Sequence, residues 1–151
     1  MKAEKVRLAQ KALEGKMGDF HEELMGKFPG WETYPVGHST GCDVGKLDGT
    51  IVMEVKNRHN TMNSSSGEAV VNKLLKNHEK GKQAILVEVN CPGGKVTRYG
   101  APASIEVWNG KTTYTFLSGR DSFFDDLQQT LQYVFTNFKT LAQLKRGLGI
   151  A

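Results

Sequence analysis

The sequence has few cysteines and no long apolar run. Its two cysteines, Cys42 and Cys91, form neither a C-x-x-C pair nor a zinc-ligand spacing. We therefore expect two reduced thiols rather than a disulfide framework or a metal–thiolate site. No stretch approaches the roughly 18 consecutive apolar residues of a transmembrane helix, so no membrane association is expected.

The amino-terminal stretch also lacks the marks of a secretory signal. Residues 2–16 begin with charged side chains and contain no apolar core segment, which predicts a cytoplasmic protein. The net charge of +4 and the pI near 9.1 are compatible with a nucleic-acid partner but do not identify one. A length of 151 residues with 38% hydrophobic residues fits a single domain over 1–151.

The pattern of apolar and turn-forming residues predicts an α/β protein with a central mixed β-sheet flanked by helices. A nearly all-apolar run, Ala84–Asn90, is typical of a central strand covered on both faces. Before the central hairpin, the pattern predicts an amphipathic helix over 2–16 interrupted by Gly15 and Gly18, a short helix over 20–28 and an extended segment over 31–40. After it, a helix is predicted from a Ser65/Glu68 capping box to Gly81. The remaining predicted elements are a second hairpin with strands 104–108 and 111–117 around Asn109-Gly110, and a closing helix over 122–144.

The strongest local signal lies in residues 41–56, GCDVGKLDGTIVMEVK. Asp48-Gly49 is a preferred filling of a two-residue type I′ hairpin turn. In that register Asp43 lies opposite Glu54, and paired residues have Cβ atoms about 4.5–5.5 Å apart. Because strand side chains alternate, Lys56 points to the same face as Glu54. The hairpin therefore brings two carboxylates and an ammonium group to one end of a sheet.

Two carboxylates and a lysine at a strand end suit metal-dependent hydrolysis of phosphodiesters. Asp43 and Glu54 offer hard oxygen ligands for Mg²⁺, with Mn²⁺ as a substitute, and the Val55 backbone carbonyl lies between them. The metal lowers the pKa of a bound water and neutralises the leaving oxygen. Since the carboxylates hold Lys56 protonated, Lys56 suits orienting the water or stabilising charge on phosphorus better than general-base action. A solvated surface cluster explains the spacing alone equally well.

Asp43 with Glu54-Val55-Lys56 resembles the D…(D/E)-x-K signature of the PD-(D/E)xK nuclease superfamily, with Cys42 where proline is frequent. The run EVKNRHNTMNSSSGEAVVNKL followed by AILVEV closely resembles the core of a family of type II restriction endonucleases. In that family the active-site strand continues into a K-N-x-x-N-T-x-N-S-S-S loop. Further similar segments are GDFHE from Gly18, GWE from Gly30 and YTFLSG from Tyr114, so the resemblance covers about 18–135.

The resemblance implies a restriction-endonuclease-like core and roles for the matching residues. Asp43 and Glu54 would hold Mg²⁺, Lys56 would serve the attacking water, and a first-helix glutamate, Glu22 or Glu23, would assist the metal shell. Amide side chains read adenine edges, arginine reads guanine, and hydroxyls and amides hold phosphates. The candidate DNA contacts are Asn57, Arg58, His59, Asn60, Thr61 and Asn63. A loop stitched by its own side-chain hydrogen bonds is the alternative explanation.

The sequence thus predicts a Mg²⁺-dependent endonuclease that cuts double-stranded DNA at a short specific site. A homodimer is expected because a palindromic site presents identical half-sites. Two alternatives share the fold: a structure-directed nuclease, such as a junction resolvase or repair nickase, and an inactive DNA-binding relative. The lysines of the middle helix region are expected to form a solvated face that also steers DNA; they are Lys73, Lys76, Lys80 and Lys82.

Overall fold

A computed structural model of the chain describes residues 2–147 and 149, without the side chains of residues 2, 5–14, 141 and 144. None of its helices within that range is long and apolar enough to cross a membrane. The helices are α1 (Lys2–Gly26), α2 (Ser64–Glu79), α3 (Gly110–Ser118), α4 (Phe123–Asn137) and α5 (Leu141–Gly147). The strands are β1 (Trp31–Thr33), β2 (Val44–Lys46), β3 (Ile51–Arg58), β4 (Gln83–Asn90) and β5 (Glu106–Asn109).

The five strands form one mixed sheet in the order β1-β2-β3-β4-β5. The pairs β1/β2 and β2/β3 are antiparallel, whereas β3/β4 and β4/β5 are parallel. A parallel pair needs a long crossover, and α2 supplies it between β3 and β4. Strands β3 and β4 are buried on both faces, which explains their nearly continuous apolar sequences. The predicted α/β class and the predicted central strand are confirmed.

The core lies on both faces of the sheet. One face packs against α1, α3 and α4 and includes Met53, Val55 and Tyr114, with Trp31 and Trp108 at its margin. The opposite face, called the α2 face below, packs against α2. Its buried residues are Cys42, Val52, Val70, Leu74, Ala84, Leu86 and Ile105. Because side chains alternate along a strand, Glu54 and Lys56, two and four positions after Val52, also point to the α2 face.

The β2–β3 pairing has the predicted register. Val44 pairs with Met53 and Gly45 with Val52, and extending that register by one step places Asp43 opposite Glu54. The Asp43 backbone N–H donates to the Met53 carbonyl at 3.0 Å, so the chain is still held against β3 at this position. The relation between the two carboxylate residues is therefore confirmed.

The predicted type I′ turn, in contrast, is wrong. Gly49 has a positive φ of 75°, but Asp48 does not, and a type I′ turn requires positive φ at both residues. The Gly49 N–H donates to the Lys46 carbonyl at 2.9 Å, and the connection runs over residues 47–50. Asp48 Oδ1 accepts hydrogen bonds from the Thr50 N–H at 3.0 Å and its hydroxyl at 2.6 Å. This Asx-type bonding stabilises the wider connection without disturbing the register.

Two predictions for the amino-terminal third are wrong in extent. The predicted break at Gly15 and Gly18 does not occur, since α1 is a single helix; its last turns are anchored by His21 and Met25, both fully buried. The predicted apolar face over 5–14 lies outside the described side chains. Of the predicted extended segment over 31–40, only Trp31–Thr33 is a strand, because Pro35 cannot donate to a ladder and the chain turns there.

The second predicted hairpin and the single closing helix are also wrong. Asn109 does not enter a turn but caps α3, its Oδ1 accepting from the Thr112 N–H at 2.8 Å, and residues 111–117 are helical. The closing helix leaves helical geometry at Phe138. A capping box then starts α5: the Thr140 hydroxyl accepts from the Gln143 N–H at 3.1 Å, and Gln143 Oε1 accepts from the Thr140 N–H at 3.2 Å.

The N-cap of helix α2 lies two residues before Ser65, the N-cap of the predicted Ser65/Glu68 capping box. Asn63 is the N-cap, and its Oδ1 accepts from both the N–H and the hydroxyl of Ser66 at 2.9 Å. The helix ends at Glu79, and Gly81 follows with a φ of 85°, as predicted for its carboxyl end. The predicted DNA contact Asn63 therefore has a structural function in the helix.

An Asn63→Ala substitution is expected to lower the free energy of unfolding by about 1 kcal/mol, because it removes the cap of α2. The matched control is Ser65→Ala, at an exposed serine two residues after Asn63, with an expected change within about 0.5 kcal/mol. Urea denaturation followed by circular dichroism measures both. A larger loss for Ser65→Ala than for Asn63→Ala would support the capping box predicted from the sequence instead.

Candidate active site

The three predicted catalytic side chains converge on the α2 face at the carboxyl end of β3. Glu54 is 4% exposed, and its Oε1 accepts a hydrogen bond from Lys56 Nζ at 3.0 Å. Asp43 Oδ2 accepts from the Val55 backbone N–H at 2.8 Å. The Asp43 carboxylate is therefore held at Val55, the residue of β3 that follows Glu54. The structure thus brings Asp43, Glu54 and Lys56 together as the hairpin register predicted.

The segment before Asp43 is fixed by α2. Asn77 is buried, and its Nδ2 donates to the Thr40 carbonyl at 2.9 Å and contacts Cys42 Sγ at 3.8 Å. On the other side, the Asp43 carbonyl accepts from the Tyr34 N–H at 2.8 Å. These bonds hold the approach to Asp43 in one place, so its carboxylate is positioned by rigid neighbours on both sides.

The electrostatics of the site are those of crowded carboxylates. Burial raises the pKa of Asp43, and the nearby charge of Glu54 raises it further. Burial alone would lower the pKa of Lys56, but the carboxylates of Glu54, Asp43 and Glu22 outweigh it and raise the pKa of Lys56 overall. Lys56 is therefore a protonated ammonium group, as expected, and unsuited to general-base action.

Of the two candidate first-helix glutamates, Glu22 is the one at the site. Glu22 lines a cavity of about 190 Å³ together with Tyr34 and Asp43, whereas Glu23 is exposed. Burial first, and then the charges of Asp43, Asp19 and Glu54, together raise the pKa of Glu22 to about 7. A carboxylate whose pKa depends on Asp43 and Glu54 lies within their electrostatic reach.

A fourth charged side chain at the site was not predicted as part of it. Lys73 of α2 donates to Glu54 Oε2 at 2.6 Å, while its neighbour Glu54 remains bonded to Lys56 through the other oxygen. The sequence pattern assigned Lys73 to a solvated lysine face. The available signal was its place directly before buried Leu74 and three residues after buried Val70, at the margin of the helix stripe that meets the sheet.

The segment with the predicted DNA contacts, residues 57–63, is partly held in place by hydrogen bonds to the rest of the fold. Asn90 Nδ2 donates to the Asn57 carbonyl at 3.1 Å and to Asn57 Oδ1 at 2.9 Å, and Gln128 Nε2 of α4 donates to Asn90 Oδ1 at 2.8 Å. This chain of amides joins the end of β3 to β4 and α4. Asn60 has a positive φ of 52°, and Thr61 Oγ1 donates to the Arg58 carbonyl at 3.4 Å.

Arg58 and His59 border a cavity of about 580 Å³ at the carboxyl ends of the parallel strands. Ligands of open α/β sheets commonly bind at that edge. Its polar lining consists of basic and amide side chains and one carboxylate; they are Arg58, His59, Asn90, Asn109, Lys111, Gln128 and Asp125. Arg58 follows Lys56 by two residues in β3, but Val89 and Phe124 of the cavity lining belong to the sheet face opposite the α2 face.

A family model described as Eco47II restriction endonuclease matches residues 1–138. The chain belongs to this family. It is 38% identical over 164 aligned positions to the type II restriction enzyme Sau96I from Staphylococcus aureus, an alignment that covers 96% of the chain and 62% of that enzyme. It is 23% identical over 150 positions to the type II restriction enzyme Eco47II from Escherichia coli, covering 87% of the chain and 62% of that enzyme.

The chain therefore spans less than two thirds of the length of these two curated relatives of the Eco47II family. No solved structure matches it. Because the relatives extend beyond the matched part, the family assignment covers the site described above, whereas activity, substrate and assembly require their own argument.

The donor set of this Eco47II-family chain suits a hard divalent cation. No three His, Cys, Asp or Glu side chains come close enough to enclose a metal ion among the residues that the structure describes. Mg²⁺ does not need such a cage, since it keeps several waters and binds through one or two carboxylates and substrate phosphates. Asp43 and Glu54 are the two carboxylates that fit this requirement.

The raised pKa of Glu22 predicts a pH-dependent cost in stability. Folded Glu22 binds its proton more tightly than the unfolded chain does, so its contribution to stability falls as the pH rises from about 4.5 to about 7. A Glu22→Gln variant is therefore expected to be more stable than the wild type above pH 7 in EDTA, with the difference lost below about pH 4.5. Thermal melts across pH 4–9 measure it.

The matched control for this pH series is Glu23→Gln, which changes the neighbouring exposed side chain. That variant is expected to follow the wild-type curve at every pH. A Glu22→Gln variant whose melting temperature stayed parallel to the wild type across the range would contradict the burial of this carboxyl group against Asp43.

Proposed function

We propose that the protein is a Mg²⁺-dependent endonuclease that hydrolyses double-stranded DNA at a short specific site, with Mn²⁺ as a substitute metal. The observation that carries the proposal is the meeting of Asp43, Glu54 and protonated Lys56 at one strand end. The membership of the Eco47II restriction endonuclease family supports it, since both curated relatives are named type II restriction enzymes. Residues 1–151 would act as one nuclease domain.

In the proposed reaction, Asp43 and Glu54 would hold the metal, assisted by the Val55 carbonyl and by Glu22. When bound, the metal would lower the pKa of a water and neutralise charge on the leaving oxygen. Lys56 keeps its proton and places its ammonium group beside the attacking water or the phosphate, where negative charge develops. The attacking water would lose one proton to solvent as its oxygen bonds to phosphorus, and the bond from phosphorus to the leaving oxygen would break. The leaving oxygen would take up a proton from a solvent water.

The DNA itself would meet the protein at the carboxyl ends of the parallel strands. The loop after β3, with its K-N-x-x-N-T-x-N-S-S-S sequence, continues directly from the site to the cavity at Arg58 and His59. Arginine suits guanine edges, and the amides and hydroxyls suit adenine edges or phosphates. We propose contacts by Asn57, Arg58, His59, Asn60, Thr61 and Asn63, although Asn57 and Asn63 also have structural bonds. A homodimer would present this surface twice to a palindromic site.

The test is incubation of the full chain with Mg²⁺ and long duplex DNA, beside a four-way junction of matched length. Discrete bands from the duplex are expected, and sequencing of their ends gives the recognition site. Cleavage of the junction alone would replace the proposal with a structure-directed nuclease. Binding without any cleavage, in Mg²⁺ or Mn²⁺, would replace it with an inactive DNA-binding protein.

A further inference from the structure

Both oxygens of the Glu54 carboxylate carry an ammonium partner. Lys56 Nζ lies 3.0 Å from Oε1, and Lys73 Nζ lies 2.6 Å from Oε2. The Glu54 side chain is only 6% exposed, and a buried carboxylate needs a compensating positive charge. In this arrangement the two lysines, one from β3 and one from α2, supply that charge.

A divalent ion that binds either oxygen of Glu54 meets an ammonium group already in contact with that oxygen. Mg²⁺ binds carboxylate oxygens at about 2.0–2.1 Å, and at that distance its charge repels the ammonium group strongly. Lys56 is held by more than Glu54, since the charges of Asp43 and Glu22 also act on it. Lys73 comes from a different element, α2, and contacts the other oxygen, Oε2.

The surroundings of Lys73 allow its ammonium group to lie either against Glu54 or in a neighbouring cavity. Its stem passes so close to Gly41 that an added Cβ there would lie 2.8 Å from Lys73 Cδ, and Gly41 has a positive φ of 68°. This passage directs the ammonium group to Glu54. On the other side lies an open cavity of about 460 Å³, bordered by Ser39, Lys73 and Lys76, which leaves room for the ammonium group to move away.

We infer that Lys73 is a positioning residue that neutralises Glu54 while the metal is absent and competes with the divalent ion for Glu54 Oε2. The inference rests on the proposed metal site and adds a residue outside the D…E-x-K pattern. When the metal binds, the displaced ammonium group faces the cavity, where a DNA phosphate is the complementary charge. The site thus exchanges one cation for another rather than exposing a bare carboxylate.

The experiment is calorimetric titration of Mn²⁺ into the full chain at pH 8 without DNA. A Lys73→Met variant is expected to bind Mn²⁺ on the order of tenfold more tightly than the wild type, because it removes one charge-assisted bond that the metal must break. Lys73→Arg keeps the charge and is expected to bind as the wild type does. Lys139→Met, at an exposed lysine that does not border this cavity, is the matched control with unchanged affinity.

An unchanged or weaker Mn²⁺ affinity in Lys73→Met would overturn the inference, and it would leave Lys73 as a structural tie between α2 and β3. If Lys73→Met does not fold, Lys73→Gln replaces it, since glutamine retains a hydrogen bond to Glu54 without the charge; here too an unchanged affinity overturns the inference. Because no DNA is present, the result is independent of cleavage. A chain that cuts no DNA but shows the tighter binding would refute the proposed activity while supporting the competition.

Discussion

Replacing Lys56 by methionine is expected to slow the cleavage of duplex DNA by about 10³-fold while the protein stays folded. The loss follows from removing the ammonium group that faces developing charge on phosphorus and the attacking water. The fold should tolerate the change because Glu54 keeps its second partner, Lys73, at 2.6 Å. Single-turnover cleavage of the site found for the wild type, with saturating Mg²⁺, measures the rate, and circular dichroism measures folding.

The matched control is Lys46→Met, in the same hairpin. Lys46 Nζ lies 3.4 Å from Asp48 Oδ2, and the Lys46 side chain is 43% exposed. This ion pair is longer than the 3.0 Å contact of Lys56 with Glu54 and more exposed to solvent. Lys46→Met is expected to leave the rate within a few-fold of the wild type, since surface ion pairs contribute little. A Lys56→Met protein that cut at the wild-type rate would remove Lys56 from the reaction and would reopen the explanation by a charged surface cluster.

The largest effect on stability is expected for Tyr114→Ala, which should lower the free energy of unfolding by about 3–5 kcal/mol. Tyr114 is fully buried, and its ring stacks with those of Phe123 at 5.4 Å and Phe124 at 5.9 Å between ring centroids. Its hydroxyl and His21 Nδ1 are 2.8 Å apart. Burial lowers the pKa of His21 to about 4, so the ring is neutral, and this bond joins α1 to α3 without a charge.

Two further substitutions separate packing from hydrogen bonding. Tyr114→Phe keeps the ring but leaves His21 Nδ1 without its partner, and it is expected to cost about 1–3 kcal/mol. Tyr133→Ala, at a tyrosine that is 62% exposed, is the surface control, with an expected loss below about 1 kcal/mol. Urea denaturation gives all three values. Equal losses for Tyr114→Ala and Tyr133→Ala would contradict the placement of Tyr114 in the core.

The geometry of the candidate site was predictable because it depends on local rules. A turn signal at Asp48-Gly49 fixes which residues face each other, and alternation along β3 fixes the side of Lys56. Although the turn type was wrong, the wider connection over 47–50 preserves the same register, so the error did not reach Asp43 and Glu54. The class of the fold was predictable for a similar reason, since a doubly buried strand has a nearly continuous apolar sequence.

The errors arose where one local signal serves two structures. Asn-Gly is a hairpin turn signal, but asparagine is equally a helix N-cap, and Asn109 caps α3. The decision depends on tertiary burial: Thr113 and Tyr114 are adjacent and both buried, which a helix facing the core allows but a half-exposed strand does not. Lys73 escaped prediction because its partner Glu54 lies on another element, and only the packing of α2 brings them together.

The cysteine next to the site has a consequence for how the protein withstands oxidants. Cys42 is buried beside Asp43, and burial, with the charge of Glu54 adding to it, raises the pKa of its thiol to about 12. Since only the thiolate reacts readily with peroxides and alkylating reagents, Cys42 stays in its unreactive form at neutral pH. Cys91, whose pKa is raised to about 11 mainly by burial, behaves in the same way. The carboxylates that we propose as metal ligands therefore have a protonated thiol as their neighbour, whereas a thiolate there would make the site sensitive to oxidants.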